Sequence, residues 1–227
     1  MADEFGHPYW SWVTRTWQTL DAITDGRLDE AEGLAFEALA IQPNHPEAIA
    51  CLGVNLVDIR LYQGRAGEVI DLLAAAADQN PHIPAYRGVL ALCCVEAGDT
   101  ERALPAYRAF ADDLFATIPT DTNRLLTLSV LAHVASQLGN APERSALAKL
   151  LSPWGRQQSL LNCFAGGGAY WGPVAHSLAL LEAPGPARDA LLDKAERSAV
   201  NFEAPLAAQR IALTRRLVDS PSLRSAS

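Results

Sequence analysis

A short turn containing glycine recurs along the chain and separates stretches rich in Ala and Leu. The turns are centred on Gly26, Gly64, Gly98 and Gly139, with a weaker copy at Gly185, and their spacings are 38, 34, 41 and 46 residues. Spacings of this size are typical of helical-hairpin repeats. We expect each glycine to end one helix in the left-handed conformation. The acidic residue that follows each turn favours the start of the next helix.

The segments between the turns have helical periodicity. Ala and Leu recur every three or four residues, whereas runs rich in Val, Ile and Thr with strict alternation are missing. With 49% hydrophobic residues, the chain has enough apolar material for a core. We therefore predict an all-α fold with one domain over residues 1–219 and a disordered polar tail over residues 220–227.

Small residues and a proline recur at the same offsets after the first two turn glycines. The matching pairs are Ala31 and Val69, Ala38 and Ala76, and Pro43 and Pro81. This pattern resembles the tetratricopeptide repeat (TPR), although Arg15 and Gly53 stand where that repeat has a large aromatic residue. In the third unit Pro119 comes about one helical turn late, which predicts a longer second helix. The resemblance implies a right-handed α-solenoid of about five TPR-like hairpins.

A second resemblance covers most of the chain. Several segments resemble the C-terminal helical-repeat region of actinobacterial LuxR-type and adenylate-cyclase-associated ATPase regulators. They are residues 26–32, 84–87 and 118–121, and the stretch from 151–156 through 166–168 to 172–176. In that family the region implies a sensing or protein-interaction solenoid attached to an ATPase and an output domain. The sequence contains neither a G-x-x-x-x-G-K-[ST] loop nor a basic helix-turn-helix end. A stand-alone paralogue and a piece of a longer regulator both remain open.

Charge and cysteine usage narrow the range of partners. The net charge of −8, with no basic run, argues against nucleic acid and against an anionic membrane surface. The acidic start at Asp3 and Glu4 lacks the features of a secretory signal, so we expect a cytoplasmic protein. The four cysteines have no metal-ligand spacing and are interpreted as buried thiols. Neither a metal nor a cofactor is predicted.

The first helix of each TPR hairpin lines the concave face of the stack, where such folds usually bind their partners. The resemblance therefore implies a set of groove positions: Val13, Thr16, Trp17, Leu20, Cys51, Val54, Asn55, Asp58, Tyr62, Ala85, Val89, Leu92, Leu126, Ser129, Val130, His133 and Gln137. These positions are mostly apolar and lack a clamp of Lys and Arg. Such a groove suits a small molecule or an apolar helix.

A few polar residues in apolar surroundings are candidates for chemistry. Asn55, Asp58 and Tyr62 share one helical face, which suits either a polar hook for a ligand or a structural hydrogen-bond patch. His133 and His176 stand in apolar runs as general-base candidates or as structural histidines. The candidate catalytic residues are thus Asp58, His133 and His176.

Glycines and aromatic residues mark two further segments. Residues 160–164 are interpreted as helical, and residues 166–168 are all glycine, which we expect to break that helix. The neighbouring Tyr170 and Trp171 fill the gap or wall a ligand pocket. Near the N-terminus we expect Trp10 and Trp17 to be buried and Trp12 to be exposed, so the segment caps the stack or forms a partner surface.

Two functions follow from these features. The first is a binding module for a protein partner or an apolar small molecule, in a bacterial regulatory or biosynthetic setting. A second copy of the chain, which would form a homodimer, is one such partner. The second is a stand-alone enzyme or ligand carrier of secondary metabolism. The residues do not decide whether catalysis takes place. The predicted ligand-binding residues are Trp17, Asn55, Asp58, Tyr62, Ser129, His133, Tyr170 and Trp171.

Overall fold

The computed structural model describes residues 7–162 and 168–219. These residues form eleven α-helices and one short β-hairpin, so the predicted predominance of helix is confirmed. The helices are α1 (Pro8–Thr24), α2 (Leu28–Ile41), α3 (Pro46–Tyr62), α4 (Ile70–Gln79), α5 (Pro84–Glu96), α6 (Thr100–Ala111), α7 (Arg124–Leu138), α8 (Ala141–Leu151), α9 (Val174–Leu181), α10 (Pro186–Asn201) and α11 (Pro205–Asp219). Short 3₁₀ turns lie at Ala66–Val69 and Ser152–Trp154. The predicted tail lies outside the described residues.

The first three turn glycines end their helices as predicted. Gly26, Gly64 and Gly98 have φ values of 81°, 69° and 74°. At the first turn, Arg27 N donates to Ala22 O at 2.8 Å and Gly26 N donates to Ile23 O at 3.0 Å. This pair of bonds is the Schellman motif, in which a left-handed residue satisfies the last carbonyl groups of a helix.

The fourth and fifth turns differ from the prediction. Gly139 follows α7 in an extended conformation with φ −81°, so it is not a left-handed cap. Instead, Asn140 and Glu143 form a capping box at the start of α8, with Glu143 N donating to the Asn140 side chain at 2.9 Å. Gly185 precedes α10 as its N-cap, with φ 150°, rather than ending α9.

The second helix of the third unit is not longer, contrary to the prediction from Pro119. The helix α6 ends at Ala111, and the chain then turns through Leu114 and Phe115, which have φ values of 54° and 67°. Phe115 is fully buried, and its ring lies 6.1 Å from that of Tyr107. Burial of this aromatic ring offsets the strain of the left-handed backbone.

We predict opposite effects for alanine at two exposed glycines. Gly98→Ala should lower the free energy of unfolding by about 1–2 kcal/mol, because its left-handed backbone strains an L side chain. A Cβ there would meet no atom within 4 Å, so only the backbone is affected. Gly33→Ala, at an equally open site inside α2, should raise the free energy of unfolding by about 0.5–1 kcal/mol. Urea unfolding measures the change in both variants. Changes in the same direction at Gly98 and Gly33 would contradict this prediction.

The predicted helix over residues 160–164 is wrong, because the structure has a strand where residues of that segment are described. Strand β1 (Gln158–Asn162) pairs antiparallel with β2 (Gly168–Pro173), with a bulge between Ser159 and Leu160. Residues 163–167, including most of the glycine run, lie outside the described residues. Leu160 and Leu161 favour a helix locally, but the strand pairing with β2 overrides that preference.

The prediction for the N-terminal tryptophans is reversed. Trp12 is 0% exposed, whereas Trp10 and Trp17 are 57% and 48% exposed. The buried face of α1 instead includes Thr16 and Thr19, whose hydroxyl groups donate to backbone carbonyls one turn earlier at 2.9 Å. A threonine whose hydroxyl is satisfied inside its own helix can face the core. The buried face of α1 is therefore the one that carries Trp12, Thr16 and Thr19.

Most helices pack on the next helix of the chain, but α5 also packs on α7 and α7 on α9, and β2 lies between the early and the late helices. Strand β2 contacts α1, α3, α7, α9, α10 and α11, and α11 also contacts α1. The largest hydrophobic cluster includes Leu92 of α5, Leu131 of α7 and Leu147 of α8. This packing brings side chains from early and late helices around one strand. Among the described residues, no helix combines the length and the apolar character that crossing a membrane requires.

The described cysteines are buried, as predicted. Cys51, Cys93 and Cys94 lie in the core, while Cys163 lies outside the described residues. Burial raises the pKa of the Cys93 thiol to about 12, which keeps it protonated and unreactive near neutral pH.

Candidate functional site

A cavity of about 380 Å³ lies among α3, α4, α5 and α7 and is walled on one side by Trp171 of β2. Its described lining is mostly apolar, and its charged or amide members are Glu47, Asp58 and Asn123. Tyr86 and Trp171 add a hydroxyl group and an indole N–H. Eight of the predicted groove positions line it: Cys51, Val54, Asp58, Ala85, Val89, Leu92, Leu126 and Val130. The volume lies within the range of small-molecule sites.

Helical periodicity explains why these positions meet. Cys51, Val54 and Asp58 are spaced at three and four residues, so they share one face of α3. Ala85, Val89 and Leu92 do the same on α5. Gly53 also lines the cavity, and a Cβ added there would meet nothing within 4 Å. The absent side chain therefore contributes to the open space.

Asp58 is the buried ionisable group of the cavity wall. Its side chain is 2% exposed, and its Oδ2 atom has no hydrogen-bond partner. Burial raises the pKa of this carboxyl group to about 7, and the positive charge of Arg210 opposes part of that rise. The carboxyl group can thus be either neutral or charged near physiological pH.

Arg210 of α11 stabilises the wall behind Asp58. Its guanidinium carbon lies 4.0 Å from the centroid of the Trp171 ring and 4.5 Å from that of the Tyr62 ring. It also forms a long hydrogen bond of 3.5 Å to the carbonyl oxygen of Trp171. A cation held between two aromatic faces fixes both rings. The sequence interpretation missed Arg210, because nothing local distinguishes it from the other arginines of α11.

Neither of the two tyrosines predicted for the site is part of the described lining of the cavity. The Tyr62 hydroxyl donates a long hydrogen bond of 3.5 Å to the carbonyl oxygen of Tyr170. The Tyr170 ring turns toward α10, where it stacks on Phe202 at 4.8 Å, and its hydroxyl donates to Gln158. Trp171 therefore walls the cavity, while Tyr170 anchors the hairpin to α10.

The candidate histidines form a neutral pair behind Trp171. The His133 ring lies 4.9 Å from the Trp171 ring and 5.0 Å from that of His176. Burial, together with the charge of Arg210, lowers the pKa of both, and that of His176 falls to about 3. The hydroxyl of Thr214 lies 2.9 Å from His176 Nε2 and 3.1 Å from the carbonyl oxygen of Arg210, so His176 has a hydrogen-bond partner in the protein.

The structure thus brings together some of the predicted site residues and separates others. Asp58 and Trp171 line the cavity, Tyr62 lies against Arg210, and the His133 ring lies against the rings of both Trp171 and His176. Asn55 and Ser129 are buried but are not part of the described lining. Trp17 is exposed on α1 and is not part of that lining either.

Metal chemistry has no candidate cluster in the part of the chain that is described. No group of three His, Cys, Asp or Glu side chains there is arranged to hold a metal ion. The cavity wall offers hydrogen bonding from Asp58 and apolar contact from Trp171 and its helical neighbours. Comparison with known proteins finds no match to this chain among family models, curated proteins or solved structures.

Proposed function

We propose that the protein is a binding module for an apolar small molecule, built as a right-handed TPR-like α-solenoid. The observation that carries this proposal is the cavity of about 380 Å³ with mostly apolar walls and one buried carboxyl group. Ligand sites typically combine an apolar lining with a few polar groups that orient the ligand. The resemblance to actinobacterial regulators favours a sensing role in the bacterial cytoplasm.

A small molecule fits this site better than a peptide or a partner helix. Strand β2 contacts helices from both ends of the chain, and Trp171 walls one side of the cavity. An amphipathic helix needs a long open groove for several anchors along its length. With β2 among the helices, the remaining space is a compact pocket.

A catalytic role is the second candidate, and it rests on Asp58 alone. A carboxyl group with a pKa of about 7 can give or take a proton near neutral pH. The two histidines that were the other general-base candidates are not part of the described lining. Binding therefore accounts for more of the site than catalysis does.

The binding function predicts that filling the cavity abolishes uptake of an apolar probe. Wild-type protein should bind the neutral dye N-phenylnaphthylamine with an increase in dye fluorescence. Gly53→Leu should lose this binding, because its side chain enters the cavity from α3. The variant should stay folded, since replacing a helical glycine by leucine raises helix stability by up to about 1 kcal/mol.

Gly33→Leu is the matched control. Gly33 lies in α2, its position is equally open, and it does not line the cavity. This variant should gain the same helix stability and still bind the dye. Equal dye binding by the wild type and the Gly53→Leu variant, or no binding by the wild type, would contradict the proposed site.

A further inference from the structure

The described cavity wall has three buried polar atoms without a hydrogen-bond partner. One is Oε1 of the partly exposed Glu47. The other two are Asp58 Oδ2 and the indole Nε1 of Trp171. Both residues line the cavity, and both are nearly inaccessible, with 2% and 6% of their surface exposed. Buried polar groups in proteins almost always have a partner, so an exception of this kind points to a bound molecule.

The chemistry of the two atoms restricts what that molecule carries. An ionised carboxylate only accepts hydrogen bonds, and an indole nitrogen only donates them. An ammonium group could satisfy Asp58 but could not accept from Trp171. A carboxylate group could accept from Trp171 but could not donate to Asp58. A hydroxyl group does both with one oxygen atom.

The charges around the cavity favour the same answer. Asp58 and Glu47 both line the cavity and would repel an anionic ligand. The guanidinium group of Arg210 lies against the ring of Trp171, 4.0 Å from its centroid, and would repel a cationic one. A neutral polar group avoids both penalties.

We propose that the natural ligand of this cavity is an uncharged apolar alcohol or phenol whose hydroxyl group donates to Asp58 and accepts from Trp171. This inference rests on the proposed function, because it concerns the same cavity. It assigns Asp58 and Trp171 as the residues that select the polar end of the ligand. The apolar side chains of α3, α5 and α7 then hold its hydrocarbon part.

The test is a headgroup series with one hydrocarbon length. Decan-1-ol, its isomer methyl nonyl ether, decylammonium and decanoate are titrated by calorimetry at about pH 9, where Asp58 is ionised and can only accept. The two neutral compounds are kept below their solubility limits and the two ions below their micelle-forming concentrations. The ether accepts a hydrogen bond but cannot donate one, and it is more easily transferred from water than the alcohol. A purely apolar cavity would thus prefer the ether. We expect the alcohol to bind about tenfold more tightly than the ether and than either ion.

The variant Asp58→Leu tests the contribution of the carboxyl group to binding, independently of the rest of the cavity. In this variant the ether should bind more tightly than the alcohol, because the acceptor is gone and only the transfer preference remains. Trp171→Phe keeps a ring and loses the Nε1 donor, and it should reduce the alcohol preference. Circular dichroism establishes that each variant is folded. If a variant fails to fold, the titrations of the wild-type protein with the four ligands still test the hydroxyl assignment.

The outcomes distinguish a failure of the hydroxyl assignment from a failure of the proposed function. Ether binding as tight as alcohol binding in the wild type, or an unchanged order in Asp58→Leu, overturns the hydroxyl assignment while the cavity remains a binding site. Tighter binding of decylammonium or decanoate overturns it as well. If neither this series nor N-phenylnaphthylamine binds, the proposed function itself fails, and the hydroxyl assignment fails with it.

Discussion

Replacing Trp12 by alanine should lower the free energy of unfolding by about 3–5 kcal/mol. Trp12 is fully buried where α1 meets α2 and α3, against Ala38, Ala48 and Cys51. Its ring also lies 5.5 Å from that of Tyr9. The substitution removes a large apolar surface from the core and leaves a cavity that these small residues cannot fill. Urea unfolding followed by circular dichroism measures the loss.

Trp10→Ala and Trp17→Ala are the matched controls, because both side chains are about half exposed on the same helix. Each should change the free energy of unfolding by about 0.5 kcal/mol or less. Losses at Trp10 or Trp17 as large as at Trp12 would mean that α1 packs through the face that carries Trp10 and Trp17.

Replacing Asp58 by asparagine should stabilise the protein by roughly 2–4 kcal/mol at about pH 8. Burial raises the pKa of the Asp58 carboxyl group in the folded protein to about 7, well above its value in an unfolded chain. Holding this group ionised inside the core therefore costs free energy. Asparagine has nearly the same shape and carries no charge.

The sign of the pH dependence follows from the raised pKa. The contribution of a protonated Asp58 to stability is fully present below about pH 4 and is lost as the pH rises through about 7. The advantage of Asp58→Asn should hence grow between those two pH values and level off above them. Chemical unfolding of both proteins across this range tests the prediction. An advantage that is independent of pH would show that Asp58 does not change its charge there.

A stabilising substitution at Asp58 fits a residue kept for its chemistry. The carboxyl group lies in an otherwise apolar wall, and its Oδ2 atom has no partner in the protein. Local rules of protein stability are most often broken at functional sites, where binding offsets the cost. A ligand hydroxyl that donates to Asp58 would supply the missing partner.

Local sequence patterns predicted the structure correctly where a backbone preference acts alone. Gly26, Gly64 and Gly98 adopt the left-handed conformation, because glycine takes it without strain. The resemblance to the TPR pattern also placed Asp58 and Val89 among the groove positions, and both line the cavity. Spacing did not predict the late turn at Phe115, where burial of a side chain outweighs backbone strain.

The sequence by itself determined the helical character of this protein, three of its turn caps and some of the apolar positions of its cavity. These features depend on backbone preferences and on spacing within single helices. Only the tertiary structure decided which face of α1 is buried, that residues 158–162 pair with β2, and that Arg210 meets Trp171. Those outcomes depend on residues far apart in the chain. Their energies arise from packing between elements, which no local pattern encodes.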